Sequence, residues 1–322
     1  MFKGKKVLVA GGTGMIGIPL VEMLIAEGAQ VRIASLDEPS RAHPQAEFIS
    51  INLLSLENCL KVCQGMDFVF NLLGVKGSPA VTTTKPASFF VPTILLSLNL
   101  MEAARRAGVE GFLFSSSIAV YSPAEILHED DVWKTFPSQH DRFAGWAKRM
   151  GELQAEAYQI EYGWDRIVVV RPGNTYGPYD NFDGENAMVI PSLIKRAVDG
   201  ENPLRVWGDG SAKRNFIHAR DVARGMILAA KKMPKQPINL AAEVGVSIKE
   251  LVEVIVDQLD VKPKVIWDAS KPTGDRNRIM DISRARSIGF EPAVPLEEGI
   301  KEVIDWYRKN KNYVNNRYDV FV

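Results

Sequence analysis

The stretch KKVLVAGGTGMIGIPLVEMLIAEGA, residues 5–29, decides the fold. It opens with a short apolar run, KKVLVA, which is typical of a buried strand. A cluster of glycines follows, and then apolar residues recur at helical spacing until Gly28, a residue type that often ends helices. The stretch therefore predicts a strand, a glycine turn and a helix in immediate succession.

The same alternation of strand and helix continues to about residue 172. Further strands are predicted in QVRIASL, EFISIN, DFVFNLLG, GFLFSSS and DRIVVVRP, and helices in LENCLKVCQG, FFVPTILLSLNLMEAARRAGV and residues 144–162. Strands that alternate with long helices pair in parallel through βαβ crossovers. We therefore expect an α/β fold built on a doubly wound parallel sheet of the Rossmann type.

The glycine cluster has the spacing of a dinucleotide-binding loop. Gly11, Gly14 and Gly17 form the pattern G-x-x-G-x-x-G directly after the first strand, with Met15 and Ile16 between the last two. Glycine permits a tight turn, a close approach of the backbone to a pyrophosphate, and packing of the helix near the strand, while the helix N-terminus faces the phosphates. These five residues are the first predicted cofactor contacts.

The end of the second strand carries conflicting signals about NAD and NADP. An acidic residue there would bind the ribose 2′-hydroxyl, but the position is Ser35. Asp37 follows two residues later, and Arg41, a residue type suited to a 2′-phosphate, lies nearby. We therefore expect NAD or NADP without choosing between them. Asn52 and Leu53, at the end of the third strand, are expected beside the adenine.

The bulk composition argues against several classes of function. Lys+Arg and Asp+Glu both number 39, so the net charge is zero and the chain lacks the basic field that nucleic-acid binding requires. The two cysteines, Cys59 and Cys63, and four scattered histidines do not form a metal-binding pattern.

No apolar run is expected to reach the roughly 18–20 residues of a membrane span. Because the first strand begins at the start of the sequence, we expect no signal peptide and a cytoplasmic protein.

The composition changes after Pro172. The segment GNTYGPYDNFDGENAMVIP is rich in Gly, Asn, Asp and Pro, which predicts mostly loop. We divide the chain accordingly. Residues 1–172, together with about 217–243, are predicted to form an NAD(P)-binding Rossmann domain, and residues 173–216 and 244–322 a smaller, interleaved substrate-binding α/β region.

Several motifs together resemble a known family. The segments GGTGMIG, FLFSSSIAVYSP, WAKRMGE, RPGNTYGP, WGDGSAKRNFIHARDVARG and LEEGI resemble the extended short-chain dehydrogenases/reductases of the nucleotide-sugar epimerase/dehydratase branch. Two longer segments, YGPYDNFDGENAMVIPSLI and KPTGDRNRIMDISRARSIGFEPAVPLEEGI, are most similar to GDP-fucose synthase and its GDP-sugar relatives. The resemblance implies an NAD(P)-dependent enzyme that transfers hydride at a sugar carbon, with C4 expected, and that forms a homodimer through its long helices.

The family's catalytic residues map onto three positions. A serine or threonine, a tyrosine and a lysine handle the proton that accompanies the hydride. The tyrosine is the acid and base, and the lysine lowers the tyrosine pKa and binds the nicotinamide ribose. By resemblance the serine is Ser117 and the lysine is Lys148, and Leu73 is assigned to the cofactor. The tyrosine position, four residues before the lysine on the same helix face, is Ala144, whose methyl group cannot transfer a proton.

Three explanations of Ala144 stay open. In the first, a natural tyrosine was replaced to trap a complex. In the second, the alanine is natural, and a water or a substrate hydroxyl held by Ser117 and Lys148 moves the proton. In the third, the protein is a catalytically silent sugar-nucleotide-binding or regulatory protein. Other candidate proton carriers are Tyr121, Tyr176 and His140, none of which has the required place on the helix.

Other departures from the family pattern narrow the reaction. Dehydratases of this branch carry a glutamate two residues after the catalytic serine or threonine, often with an aspartate between, and these positions are Ala119 and Ile118. GDP-fucose synthase uses a cysteine at the position of Ala119 and a histidine at that of Met188. Elimination of water and epimerisation at C3 and C5 are therefore not expected. Dehydrogenation, keto reduction or oxidation–reduction epimerisation remain.

The residues expected to bind substrate lie in the second half of the chain. By resemblance Asn174 contacts the diphosphate of the nucleotide sugar, and Tyr176 lies near the nicotinamide. Arg214 matches the arginine that binds the nucleotide phosphates, a task for which the planar guanidinium is suited. A second cation is expected from Lys271, Arg276 or Arg278.

Overall fold

A computed structural model of the chain describes residues 1–75, 77–182, 184–271 and 274–311. Its strands are β1 (Lys6–Ala10), β2 (Gln30–Ser35), β3 (Glu47–Ser50), β4 (Phe68–Asn71), β5 (Gly111–Ser115), β6 (Ile167–Pro172), β7 (Asn174–Tyr176), β8 (Leu204–Trp207), β9 (Lys213–Arg214), β10 (Phe216–His218), β11 (Ile238–Leu240), β12 (Val246–Ser247), β13 (Val265–Asp268) and β14 (Asn277–Arg278). Its α-helices are α1 (Gly17–Ala26), α2 (Leu56–Cys63), α3 (Pro79–Thr84), α4 (Pro86–Arg106), α5 (Arg142–Tyr162), α6 (Val189–Val198), α7 (Ala219–Lys232), α8 (Ile248–Asp257), α9 (Ser283–Ser287) and α10 (Leu296–Lys309).

The central sheet has seven strands in the order β11-β6-β5-β4-β1-β2-β3. Every neighbouring pair runs in parallel. The strand order reverses at β1, which lies between β4 and β2, and such a reversal leaves a crevice at the carboxyl ends of the strands. The predicted doubly wound, Rossmann-type sheet is confirmed.

Helices cover both faces of the sheet. Because alternate residues of a strand point to opposite faces, Val7 and Val9 of β1 join the core that includes α1 and α7, whereas Leu8 joins the core that includes α2, α4 and α5. Burial on both faces explains why the strands are continuous apolar runs rather than alternating ones.

Helix α4 corrects one expectation. By length and composition it could cross a membrane, with a mean hydropathy of 1.4 over an 18-residue window, so the expectation that no apolar run reaches this size is wrong. Its buried residues include Phe89, Thr93, Ser97 and Leu100, which recur at helical spacing, and the helix packs along α2 and α5. These contacts are those of a core helix with one buried face.

A third core lies beside the sheet, in the second half of the chain. It is formed by α6, α8 and α10 with β8 and includes Ile194, Leu251 and Ile300. Strand β9 pairs with β12 and β14 in a small separate sheet. Ala285 and Phe290 instead pack in the core under α1 and α7. This short stretch therefore packs in the same core as α1 and α7, and the division of the chain into two regions stays a prediction.

Candidate active site

The glycine loop has the backbone geometry that its spacing predicts. Gly11 has a φ of 83°, in the left-handed region that favours glycine. A Cβ on Gly17, the first residue of α1, would lie 2.3 Å from the carbonyl oxygen of Gly11 and 2.7 Å from the Cα of Gly12. The helix can therefore begin directly against the end of β1, where the unpaired N–H groups of its first turn are available to phosphates. The loop fits the pyrophosphate of a dinucleotide.

A cleft of about 370 Å³ opens beside this loop, at the carboxyl ends of β1, β4, β5 and β6. Its opposite wall is formed by β7 and by the start of α6, where Met188 precedes the helix, and Phe216 also contributes. Of the predicted site residues, those that line the cleft are Gly11, Gly14, Met15, Ile16, Gly17, Leu73, Ser117, Lys148, Asn174 and Tyr176. The structure thus brings together residues that are up to 165 positions apart, from 11 to 176.

The end of β2 forms a hydrogen-bonded cluster with the glycine loop. The hydroxyls of Thr13 and Ser35 lie 2.7 Å apart, and Thr13 donates to Asp37 Oδ2 at 2.7 Å. The Nε of Arg41 lies 3.8 Å from the same carboxylate oxygen, and the Arg41 side chain is buried. A carboxylate, which suits a ribose 2′-hydroxyl, and a guanidinium, which suits a 2′-phosphate, therefore lie together beside the loop. This geometry is compatible with NAD or NADP.

Asn52 and Leu53 do not line the cleft. Asn52 Oδ1 accepts a hydrogen bond from the N–H of Leu54 at 2.9 Å and closes a local turn. Leu53 is buried in the core under α2, α4 and α5. Their place beside the adenine stays a prediction.

Lys148 extends from α5 to the cleft across the ends of two strands. Its ammonium donates to the carbonyl oxygens of Leu73 at 2.9 Å and Ser115 at 2.8 Å. A Cβ on Gly151 would lie 2.3 Å from the ring of Phe114, so glycine is what allows α5 to approach β5 this closely. Burial lowers the pKa of Lys148 to about 8. Because two of its three N–H bonds are used, one remains for the hydroxyls of a nicotinamide ribose.

Ser117 lines the same cleft. It immediately precedes a short 3-10 turn, Ile118–Val120, and its Oγ accepts a hydrogen bond from the N–H of Ala119 at 3.1 Å. A hydroxyl that accepts one hydrogen bond still has its own hydrogen to donate. Ser117 can therefore donate to an oxygen of a sugar bound in the cleft.

A buried ion pair supports the strand ends that carry Ser117. Arg171 of β6 donates to the two carboxylate oxygens of Glu152 on α5, at 3.0 and 2.7 Å, and the hydroxyl of Ser116 donates to the same carboxylate at 2.5 Å. Both charged side chains are almost completely buried. Losing one partner of such a pair is strongly destabilising, so the pair holds α5 against β5 and β6. The sequence analysis missed it, although an arginine inside the apolar run VVVRP is a visible signal.

Ala144 lies in the first turn of α5, is partly exposed and does not line the cleft. Tyr121 cannot replace a tyrosine at that position, because its hydroxyl donates to Asn239 Oδ1 at 2.6 Å and accepts a hydrogen bond from Arg171. Burial also raises the pKa of Tyr121 to about 12. The suggestion that Tyr121 transfers the proton is therefore wrong.

Tyr176 and His140 are not placed for proton transfer either. Tyr176 lines the cleft, but its hydroxyl lies against α10, where a Cβ on Gly299 would be only 2.3 Å away. Burial raises the pKa of Tyr176, which makes it a poorer acid. His140 is exposed and does not line the cleft. Both suggestions from the sequence are contradicted by these positions.

Two of the predicted substrate cations lie side by side. Arg214 of β9 and Arg278 of β14 are partners in register. Burial and the neighbouring charge of Arg278 lower the pKa of Arg214 to about 10. In the described part of the chain, the hydrogen bonds of the Arg214 side chain go to the main-chain oxygens of Lys213 and Arg276. Its charge is therefore not neutralised by a bonded carboxylate, and Phe216, two residues later, lines the cleft.

The remaining substrate predictions divide into two groups. The Nδ2 of Asn174 is buried in the cleft wall and lacks a hydrogen-bond partner among the described residues, as expected of a donor that awaits an anion. Lys271 and Arg276 are exposed and do not line the cleft. The ammonium of Lys271 lies 6.0 Å from the ring centre of Trp207, which is 59% exposed.

Asp141 is a further residue that the sequence analysis missed. It is the N-cap of α5, and its carboxylate binds the guanidinium of Arg278. Asp141, Ala144 and Lys148 are spaced by three and four residues, which places them on one face of the helix. This spacing is visible in the sequence and could have indicated a polar group near the tyrosine position.

Comparisons with known proteins identify the family of this chain. Residues 7–241, more than half of the chain, match the NAD dependent epimerase/dehydratase family. The protein belongs to this family. Its cofactor is NAD or NADP.

Individual relatives of this epimerase/dehydratase family member cover nearly the whole chain. A probable GDP-L-fucose synthase 1 from Oryza sativa subsp. japonica is 31% identical, over 96% of this chain and 93% of the relative. A dTDP-4-dehydro-6-deoxy-D-allose reductase from a Streptomyces species is also 31% identical, over 96% and 98%. A solved UDP-glucose 4-epimerase from Thermotoga maritima, with UDP-glucose, superimposes with a TM-score of 0.84 at 27% identity, covering 95% of this chain and 99% of that one.

Proposed function

We propose that this protein transfers a hydride between its nicotinamide cofactor and a sugar carbon, C4, of a nucleoside diphosphate sugar. A GDP-sugar is the first candidate, because GDP-L-fucose synthases are among its relatives at about 30% identity. The reaction is epimerisation by oxidation and reduction, or dehydrogenation and its reverse, 4-keto reduction. The observation that carries the proposal is the convergence of Ser117 and Lys148 on the cleft that the glycine loop opens.

The roles of these residues follow from their contacts. When bound, the nicotinamide supplies hydride chemistry at its C4 atom. Lys148, fixed by the carbonyls of Leu73 and Ser115, directs its remaining N–H to the nicotinamide ribose. Ser117 donates its hydroxyl hydrogen to the sugar oxygen and polarises it. Asn174 and Arg214 supply N–H donors for the diphosphate, where charge-assisted hydrogen bonds are strong.

The side chains around the cleft favour simple redox chemistry over the other reactions of the family. Ile118 and Met188 line the cleft, and neither can act as an acid or a base. Ala119, at the glutamate position of dehydratases, contributes its main-chain N–H to Ser117. Elimination of water and two-centre epimerisation both need additional proton carriers at these positions.

One specific observation favours a second candidate function. Ala144 has no group that transfers a proton, which is what a catalytically silent sugar-nucleotide-binding protein would show. Purified protein with NAD or NADP separates the two functions when a panel of GDP-, dTDP- and UDP-sugars and their 4-keto forms is added. We expect the absorbance band of reduced nicotinamide to change with at least one GDP-sugar. Binding without any such change would favour the silent protein.

Ser117→Ala tests the proton side of the proposal. We expect turnover to fall by about 10² or more, because the sugar oxygen loses its donor. Ser116→Ala is the matched control, since Ser116 bonds to Glu152 and should affect the free energy of unfolding rather than turnover. Equal turnover in Ser117→Ala and the unmodified protein would refute this role of Ser117.

We also propose that the protein is a homodimer through α4 and α5. These helices pack on each other and expose apolar side chains, among them Val91, Leu95, Leu153 and Ile160. Exposed apolar residues on two adjacent helices are typical of an interface. Light scattering should give twice the mass of one chain, and Leu95→Lys with Ile160→Lys should give the mass of a single chain.

A further inference from the structure

A closed ring of hydrogen bonds at the end of β2 fixes the Asp37 carboxylate against the glycine loop. Thr13, a fully buried residue of that loop, donates its only hydroxyl hydrogen to Asp37 Oδ2 at 2.7 Å. The hydroxyl of Ser35, which lies 2.7 Å from that of Thr13, therefore donates to Thr13. The main-chain N–H of Asp37 completes the ring by donating to Ser35 Oγ at 3.1 Å. Both hydroxyl hydrogens are thus used inside the ring.

The ring adjoins the part of the cleft that fits the pyrophosphate. Thr13 lies between Gly11 and Gly14, which both line the cleft. The N–H of Gly11 donates to the carbonyl oxygen of Ala34, the residue before Ser35, at 3.0 Å. In a Rossmann-type site the pyrophosphate lies on the loop, and the adenosine ribose reaches the end of the second strand. The ring therefore lies where the 2′ position of that ribose is expected.

Of the two charged groups in this corner, the carboxylate is the more accessible one. The Asp37 side chain is 14% exposed and that of Arg41 only 1%. Nε of Arg41 lies 3.8 Å from Asp37 Oδ2, and its Nη2 lies 3.5 Å from the carbonyl oxygen of Thr13. An arginine that binds a 2′-phosphate directs its N–H groups at the phosphate. The guanidinium of Arg41 instead lies buried against the carboxylate and the loop backbone, so an entering ribose meets Asp37 first.

The other arginine of this edge of the sheet is also engaged. Arg32 of β2 donates through Nε to Glu47 at 2.8 Å and through Nη1 to the carbonyl oxygen of Val62 at 3.0 Å. Arg32 is in register with Glu47, the first residue of β3, so this pair lies away from the carboxyl ends of the two strands. Both arginines of the region therefore already face carboxylates.

We propose that Asp37 selects the cofactor and makes this protein specific for NAD over NADP; the inference rests on the proposed function for the use of a nicotinamide cofactor. A carboxylate accepts several hydrogen bonds at once, so Asp37 can bind the 2′-hydroxyl of NAD while Thr13 continues to hold it. A 2′-phosphate has no such donor and carries roughly two negative charges, which the carboxylate repels. The selecting acid lies two residues beyond Ser35, and Thr13 draws it back to the loop.

Fluorescence titrations with NADH and NADPH test this selectivity without any sugar. We expect the unmodified protein to bind NADH at least about tenfold more tightly than NADPH. Asp37→Asn keeps an oxygen that can accept from Thr13 but loses the charge, so the affinity for NADH should fall about tenfold while that for NADPH rises. Glu47→Gln is the matched control, because it removes a carboxylate from an acid–arginine pair at the other end of these strands, and both affinities should stay unchanged.

Two nucleotides that lack nicotinamide locate the effect at the ribose. AMP and adenosine 2′,5′-bisphosphate differ only in the 2′-phosphate. Displacing NADH from the unmodified protein should need at least about tenfold more of the bisphosphate, and similar amounts of the two should suffice in Asp37→Asn.

Tighter binding of NADPH than of NADH by the unmodified protein would overturn the proposal. So would an Asp37→Asn variant in which both affinities fall by the same factor, because Asp37 would then only support the loop. The proposed function is judged separately. A protein that prefers NADH but turns over no sugar nucleotide would lose that function and keep the selectivity of Asp37.

Discussion

At the cofactor end of the cleft the main chain makes the decisive contacts, whereas at the substrate end side chains from distant segments make them. Gly17 packs on the backbone of Gly11, and Lys148 binds the carbonyl oxygens of Leu73 and Ser115. At the other end, Asp141 binds Arg278, 137 residues away. Contacts with the backbone do not depend on the identity of a partner side chain, so one substitution rarely removes them.

This difference explains why one end matches the family pattern and the other departs from it. The glycine loop, Ser117 and Lys148 are all present, but the tyrosine position is Ala144 and the histidine position is Met188. A proton carrier acts through one side-chain atom, and another group that reaches the same region can replace it. The substrate end can therefore change its chemistry while the cofactor end keeps its geometry.

The largest expected effect is that of Lys148→Met on turnover. We expect kcat to fall by about 10²–10⁴, because the ammonium that we assign to the nicotinamide ribose is lost. Initial rates with saturating sugar nucleotide measure this. Lys195→Met, on α6 and outside the cleft lining, is the control and should keep its turnover.

The same lysine predicts a pH dependence of stability. Burial lowers the folded-state pKa of Lys148 to about 8 from an ordinary value of 10.5. The unfolded chain therefore holds this proton more tightly than the folded chain does. Below pH 8 burial of the charged ammonium lowers the free energy of unfolding by about 3 kcal/mol. This cost disappears as pH rises to about 10.5, because the lysine is then neutral in both states. The free energy of unfolding of the unmodified protein should rise over this range relative to that of Lys148→Met. Urea titrations at several pH values measure the difference, and parallel pH curves for the two proteins would contradict it.

Gly17→Ala should damage the cofactor end alone. The added Cβ would meet the backbone of Gly11 and Gly12, which cannot move as a flexible side chain could. We expect the affinity for NAD or NADP to fall at least about tenfold, with overpacking costing about 1–3 kcal/mol of stability. Gly225→Ala is the matched control, because its Cβ would meet Leu240 and Phe290 in the core; it should lose stability and keep its cofactor affinity. Cofactor titrations by fluorescence compare the two.

Arg214→Gln should damage the substrate end alone. Loss of one charge-assisted hydrogen bond to the diphosphate should raise the sugar-nucleotide KM by about tenfold or more, with unchanged cofactor affinity. Arg276→Gln is the control, because the Arg276 side chain is exposed whereas that of Arg214 is partly buried. A loss of cofactor affinity in Arg214→Gln would show that the two ends are not independent.

Ala144→Tyr should have the smallest effect on turnover in the otherwise unmodified chain. If a water or a substrate hydroxyl held by Ser117 and Lys148 already moves the proton, kcat should stay within about threefold or fall, because a second carrier adds little. A large rise in the unmodified background would instead favour the explanation in which a tyrosine was replaced.

Much of the cofactor end could be predicted from the sequence because its signals are local. The glycine spacing, the apolar strands and the four-residue spacing between Ala144 and Lys148 are each visible in a short segment of the sequence. The directions of the Tyr121 and Tyr176 hydroxyls could not be predicted in this way. They depend on Asn239 and on the packing of α10 near Gly299, which lie far away in the chain.

The sequence by itself determined the doubly wound sheet, the glycine loop and the two polar residues, Ser117 and Lys148, that line the cleft. These features follow from strand and helix periodicity and from backbone positions that only glycine fits. The tertiary structure decided which cations and carboxylates meet at the start of α5. The contact between Asp141 and Arg278 forms only when β14 lies beside β9 and both approach that helix, and no local pattern specifies such an approach.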